Sequence, residues 1–245
     1  MHTILRLIAA ASLTLVVPAA ALRAQAPADP SGHWTGAIHV PAFNGAASRE
    51  IGIAIDLTRN AGGELAAYFS QPDQHVSSLP LGNVSFDGKV VSFELRANGG
   101  GVFTGTLATA TSIAGDFVTT EGGYAVRFDL ARTGDAKIAA AARSAAIGED
   151  LEGVWTGTIE FQGKKERLVL KMTNRPDGSS TGTVLDVDGS NVEIPIAMRQ
   201  SGSDVTIEVT AVAATFTGAL TGVELAGTWN QGSLSLPVTF ARGAK

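Results

Sequence analysis

The chain has 245 residues, no cysteine, a formal charge of −5 and only 17% charged residues. No Lys/Arg cluster occurs in it, which argues against nucleic acid and anionic lipid as partners. With no cysteine for disulfides, folding must rest on the core alone. The 29 glycines and the low charge fit a strand-and-turn protein rather than a helical one.

In chain order, the first predicted element is a secretory leader over residues 1–26. Met1–Arg6 is basic, Leu7–Leu22 is largely apolar, and Ala24-Gln25-Ala26 forms a small-x-small cleavage site. The mature chain is expected to begin near Pro27, in the periplasm or outside the cell. It would be more acidic than the precursor, because Arg6 and Arg23 leave with the leader. The apolar run is short for a membrane span and no later run approaches one, so no membrane insertion is expected. No Cys precedes the expected mature start, which argues against a lipoprotein anchor.

The rest of the chain says one thing twice. Gly32-His33-Trp34-Thr35-Gly36 returns as Gly153-Val154-Trp155-Thr156-Gly157, and Phe103-Thr104-Gly105-Thr106-Leu107 returns as Phe216-Thr217-Gly218-Ala219-Leu220. Gly115-Asp116-Phe117 and Leu130-Ala131-Arg132 are answered by Gly227-Thr228-Trp229 and Phe240-Ala241-Arg242. Two domains are predicted, 32–132 and 151–242. Within each, apolar residues alternate with polar ones, the period of a strand with one buried face. Eight strands begin near Trp34, Ile51, Leu65, Leu79, Val90, Phe103, Ile113 and Ala125. Eight more begin near Trp155, Leu168, Thr181, Ile194, Val205, Phe216, Leu225 and Leu234. Gly62-Gly63, Asp87-Gly88, Asp177-Gly178, Ser201-Gly202 and Gln231-Gly232 are hairpin turns between them. Short turns make sequential neighbours. The predicted fold class is therefore all-β, with two tandem eight-stranded antiparallel up-and-down barrels, which have no exposed edges. A β-sandwich is the structural alternative. The inward faces are apolar and the outward faces carry Thr, Lys, Glu and Arg, the reverse of a membrane barrel. The segment 133–150 is predicted as a helical linker: Asp135 caps it, Ala136–Ile147 is rich in alanine and Gly148 ends it. A flexible alanine-rich tether is the alternative.

Two resemblances follow from these residues. The Gly-x-Trp openings, Gly32–Trp34 and Gly153–Trp155, resemble those of calycins, the lipocalin-like and avidin-like barrels. That resemblance implies that Trp34 and Trp155 plug the closed ends, with Arg132 and Arg242 stacked on them. A closer resemblance is to a bacterial secreted module found alone, duplicated or ahead of α/β-hydrolase or β-lactamase-like domains. It is carried by Trp34-Thr35-Gly36, Ser70-Gln71-Pro72-Asp73-Gln74, Leu79-Pro80-Leu81, Ile194-Pro195-Ile196 and Phe103–Leu107. The second copy departs from the module at Asp186-Val187-Asp188-Gly189, and the first at Phe117, where Trp is usual. No hydrolase domain follows, so the resemblance implies no catalytic residue.

Candidate chemistry is sparse. Gly178-Ser179-Ser180-Thr181-Gly182 matches a nucleophile elbow in letters, but it sits between two strands rather than on a strand-to-helix turn. His33, His39 and His75 have no shared-face metal spacing. Asp186, Asp188 and Glu193 lack the alternating acid series of a calcium loop. Asn83-Val84-Ser85 reads as a chance sequon. No catalytic residue, metal or cofactor is expected. Trp34, Trp155, Trp229, Phe103, Phe117, Phe216 and Phe240 face inward and either fill the barrels or line a cavity.

The copies differ at the end opposite the Trp plug. There the first repeat carries the long loops Val40–Ser48 and Gln71–Ser78, whereas the second has tighter ones. A small apolar or amphipathic ligand is therefore expected at the mouth of barrel 1, held by Phe43, Asn44, Phe69, Gln71, Gln74 and His75. The alternative is an accessory scaffold with solid barrels and a protein partner.

Overall fold

The computed structural model describes residues 28–43, 45–97, 100–138 and 143–243. The predicted leader and residues 139–142 of the predicted linker helix lie outside the described residues. The alternating segments form two antiparallel sheets of nine strands. The first contains β1 (Gly32–Val40), β2 (Arg49–Arg59), β3 (Leu65–Gln71), β4 (Val76–Pro80), β5 (Gly82–Phe86), β6 (Val90–Leu95), β7 (Gly101–Thr109), β8 (Ser112–Thr119) and β9 (Ala125–Gly134). The last strand returns to the first, with Trp34 opposite Arg132 and Ile38 opposite Phe128. Strands β4 and β5 are two halves of one position: β4 pairs with β3 and β5 with β6. At the bend between them the Leu81 N–H donates to the Ala67 carbonyl at 2.9 Å. Eight strand positions thus form a barrel.

The second sheet contains β10 (Ser144–Ala145), β11 (Gly153–Phe161), β12 (Lys164–Asn174), β13 (Ser179–Asp186), β14 (Glu193–Ser201), β15 (Asp204–Val209), β16 (Ala214–Thr221), β17 (Glu224–Gln231) and β18 (Leu234–Arg242). Pairing of β18 with β11 and of β13 with β14 closes eight of them into a barrel. The ninth, β10, lies on the free part of β13, with Ser144 opposite Ser180 and Ala145 opposite Ser179. This corrects the predicted helical linker. Among the described residues 136–138 and 143–148 there is no helix. Alanine's helix propensity is a weak preference, and here it yields to an unpaired strand edge whose N–H and C=O groups need partners. Upstream, the linker is tied to barrel 1 by the buried Asp56 carboxylate. That group accepts from the Lys137 N–H at 2.6 Å and meets His33 Nδ1 at 2.7 Å.

The duplication holds in register. Trp34, Ile55, Phe69 and Leu79 lie opposite one another across β1 to β4, as Trp155, Leu170, Val184 and Ile194 do across β11 to β14. Trp34 and Trp155 are fully buried at the closed ends. Their indole N–H groups donate to Pro30 O at 2.8 Å and Leu151 O at 2.9 Å. The Arg132 and Arg242 guanidinium carbons stand 5.9 and 5.0 Å from the indole centroids, contacts that contribute roughly 0.5–2 kcal/mol each. Where strands cross most closely, no side chain fits. A Cβ on Gly36 would come within 1.9 Å of the Asp129 carbonyl oxygen, and one on Gly115 within 1.9 Å of that of Thr104.

The two barrels share an apolar seam. Leu79 belongs to the buried cluster of barrel 2, and Val76 and Leu95 pack against both clusters. Strand β4 meets the 3-10 turn Thr210–Val212 and β14. All of these lie at the ends away from the Trp plugs, so the barrels meet rim to rim.

Candidate functional site

Barrel 1 is filled by aromatic rings. Phe103 sits at their centre, 4.3 Å from Phe117, 5.1 Å from Phe93, 5.2 Å from Phe128 and 6.4 Å from Phe69 between centroids. Phe69 is therefore a core residue, 3% exposed. Of the other residues expected to hold a ligand, Gln71, Gln74 and His75 are brought together on the β3–β4 loop. Gln71 is half-buried and Gln74 and His75 are exposed. The 3-10 turn Pro72–Gln74 ends at His75, whose backbone is left-handed (φ 55°) and whose N–H donates to Pro72 O. Phe43 is 65% exposed and pairs instead with Tyr124, equally exposed on the β8–β9 loop, at 6.4 Å. Asn44 lies outside the described residues.

A cleft opens at the mouth of barrel 2. Its volume is about 540 Å³, within the range of small-molecule sites. Inward-facing residues of four adjacent strands line it. Ile159 and Phe161 come from β11, Lys164 and Glu166 from β12, Trp229 from β17, and Leu234 and Leu236 from β18. Gln162 and Gln231 stand at the rim. Beside the apolar wall, Lys164 Nζ and Glu166 Oε1 form an ion pair at 2.9 Å. The hydrogen bond to Glu166 raises the Lys164 pKa, keeping it cationic, and Asp186 and Glu121 add to the effect. Burial pushes the neighbouring Asp186 carboxyl up, and the Glu166 charge pushes the same way. This cleft was missed in the sequence. Its signal is that Lys164 and Glu166 share a face with Leu168, Leu170 and Met172: charges on an inward register mark a solvated barrel end.

A smaller cavity of about 340 Å³ lies between the barrels, lined by Leu95, Arg96 and Glu121 on one side and Ser190 and Asn191 on the other. The remaining candidate groups are engaged. The Ser180 hydroxyl donates to Ala145 O at 2.7 Å, holding β10. Asp188 forks onto Arg167, Asp186 accepts the Gly189 N–H, and Glu193 pairs with Lys171. Outside barrel 1, His39 bridges Asp129 and Glu50, and the bond to Asp129 foremost raises its pKa. Among the described residues no group of three His, Asp or Glu is placed to hold a metal ion.

No protein-family model matches the chain and no curated protein matches it. Two solved structures align along most of it. One is a Bacteroides fragilis protein provisionally assigned to the outer membrane, 10% identical, covering 87% of this chain and 97% of its own at a TM-score of 0.29. The other is a Nostoc punctiforme protein of unknown function from the DUF3598 family, 14% identical, covering 87% and 96% at a TM-score of 0.24. Among the described residues no helix is long and apolar enough to cross a membrane.

Proposed function

We propose that this is a secreted, non-catalytic binding protein of calycin-like fold that holds one small amphipathic molecule in the mouth of barrel 2. The observation that carries the reading is the cleft of about 540 Å³, with Trp229, Leu234 and Leu236 on its wall and the Lys164–Glu166 pair at its edge. Apolar walls with a few convergent polar groups suit a ligand with an apolar body and one polar end. The plugged Trp ends support the calycin likeness, and the leader-like N-terminus supports export to the periplasm or beyond. The site moves from the mouth of barrel 1 because the rings around Phe103 occupy that barrel's interior.

The same rings favour a second reading, an accessory scaffold that binds a protein partner. Native mass spectrometry of the mature protein, purified gently from its source compartment, separates the two. A reproducible mass excess, lost on denaturation and in a folded Leu236→Glu variant but kept in Gln74→Ala, supports the cleft. Loss in Gln74→Ala with retention in Leu236→Glu returns the site to barrel 1. A clean apo mass in the wild type favours the scaffold.

A further inference from the structure

Both barrels come apart at the same place, and among the described residues a strand fills only one of the two gaps. In barrel 2, β13 and β14 are paired from Leu185–Glu193 down to Gly182–Ile196 and then diverge. In barrel 1, β3 and β4 are paired to Tyr68–Pro80, the Leu81 N–H donates to Ala67 O, and beyond that point β5 pairs with β6 and not with β3. The residues at the parting correspond across the repeat, since Phe69 matches Val184 and Leu79 matches Ile194. The proline that follows is present in both copies, as Pro80 and Pro195.

In barrel 2 the gap holds β10. Ser144 pairs with Ser180, the Ala146 N–H donates to Gly178 O, and the Ser180 hydroxyl donates to Ala145 O. On the far side, the Met198 N–H donates to the Ser144 hydroxyl at 2.6 Å. One short strand with small side chains thus bridges both lips. In the matching register of barrel 1, Leu65 stands where Ser180 does. Backbone groups in an antiparallel ladder alternate sides. Ala67 turns its carbonyl to the gap, so Leu65, two residues away, turns its N–H and C=O there too. Among the described residues no strand pairs with Leu65 on that side; its one ladder partner is Arg59 of β2. Leu65 is half-buried, and so is Val84 on the opposite lip. An unpaired edge of this kind is a template for an added strand.

We propose that the gap between β3 and β5 is a strand-addition site for an extended segment of another polypeptide, with small side chains at the pairing positions. The repeat itself identifies the occupant's chemistry, because β10 shows what the duplicated gap accepts. It also shows where an occupant from the chain itself would lie. Ser144 and Ala145 come eleven and ten residues ahead of Trp155, which corresponds to Arg23 and Ala24 ahead of Trp34. Cleavage after Ala26, as the leader reading expects, would remove both and leave this place to a strand from elsewhere. The inference is independent of any ligand in barrel 2.

The test uses the mature protein beginning at Pro27 and a synthetic peptide with the sequence of residues 141–148, followed by amide hydrogen exchange. At saturating peptide, exchange at Leu65 is expected to slow by about tenfold or more. A control peptide carrying S144P, which lacks the N–H that the central pair requires, is expected to give no protection. Three results overturn the proposal: no protection at Leu65, equal protection by both peptides, or full protection of Leu65 before any peptide is added. The last would mean that the mature chain closes its own gap.

Discussion

At the scale of single residues, the plug is the feature with the largest expected energy. Trp155 is fully buried, bonded through its indole N–H to Leu151 O and covered by Arg242. Its truncation leaves a large cavity and removes the hydrogen bond that ties Leu151 to the ring. Trp155→Ala is expected to destabilise barrel 2 by about 3–5 kcal/mol, the range for large aromatic-to-alanine changes in cores. Chemical denaturation measures it, and a change within about 0.5 kcal/mol, typical of exposed sites, would refute the plug. The role of both tryptophans was not read from the repeat alone: it is what the calycin resemblance of the two Gly-x-Trp openings implied, with Arg132 and Arg242 just past the last strands. Phe69 was not legible. It borders a loop of Gln, Pro, Asp and His that looks like a binding edge, yet the alternation of β3 turns its ring inward onto Phe103.

At the scale of strands, register was the most readable property, because a period of two fixes which face is buried and a slip of one residue would expose every core side chain. All sixteen predicted starting points fall in or beside strands, with Leu79 leading into the divided pair β4 and β5. Close crossings of these strands rest on glycine. Gly115→Ala is expected to cost well over the roughly 1 kcal/mol of an average substitution. Its new methyl group would meet the Thr104 carbonyl, and the β7–β8 ladder would have to shift. Thermal unfolding checks this, with Gly123→Ala unsuitable as a control because of its left-handed backbone and Gly52→Ala suitable, since a Cβ there meets nothing within 4 Å. The linker was the element read least well. Its alanines and lack of glycine describe a helix locally, but β10 is fixed by an edge on β13, some 35 residues further along, that no local pattern announces.

At the scale of the whole molecule, the barrels form one body. In the sequence Val76 falls within the loop Gln71–Ser78 and Leu79 reads as the start of a strand of the first repeat, and neither gives a sign that it faces a second barrel. The structure puts Leu79, 5% exposed, in the buried cluster of barrel 2. A charge at this position would have to be desolvated within the buried cluster of barrel 2 or force the rims apart. Calorimetry of the wild type is expected to show a single cooperative transition, and Leu79→Asp is expected to split it in two as the barrels uncouple. Two transitions in the wild type would show that the contact is too weak to couple them.

The upstream position of β10 has a consequence for the order of synthesis. Chains fold as they emerge, N-terminal parts first. Ser144 and Ala145 leave the ribosome before any strand of the barrel they complete, so when β13 appears its partner is already waiting. The edge that most needs covering in barrel 2 is never the last to be covered. In both barrels the first strand waits for the last: β1 stays open on one side until β9 has been made, and β11 until β18, some ninety residues later in each case. The early strand therefore shortens the wait at one edge of barrel 2, while the closing seam of each barrel forms only when its final strand is made.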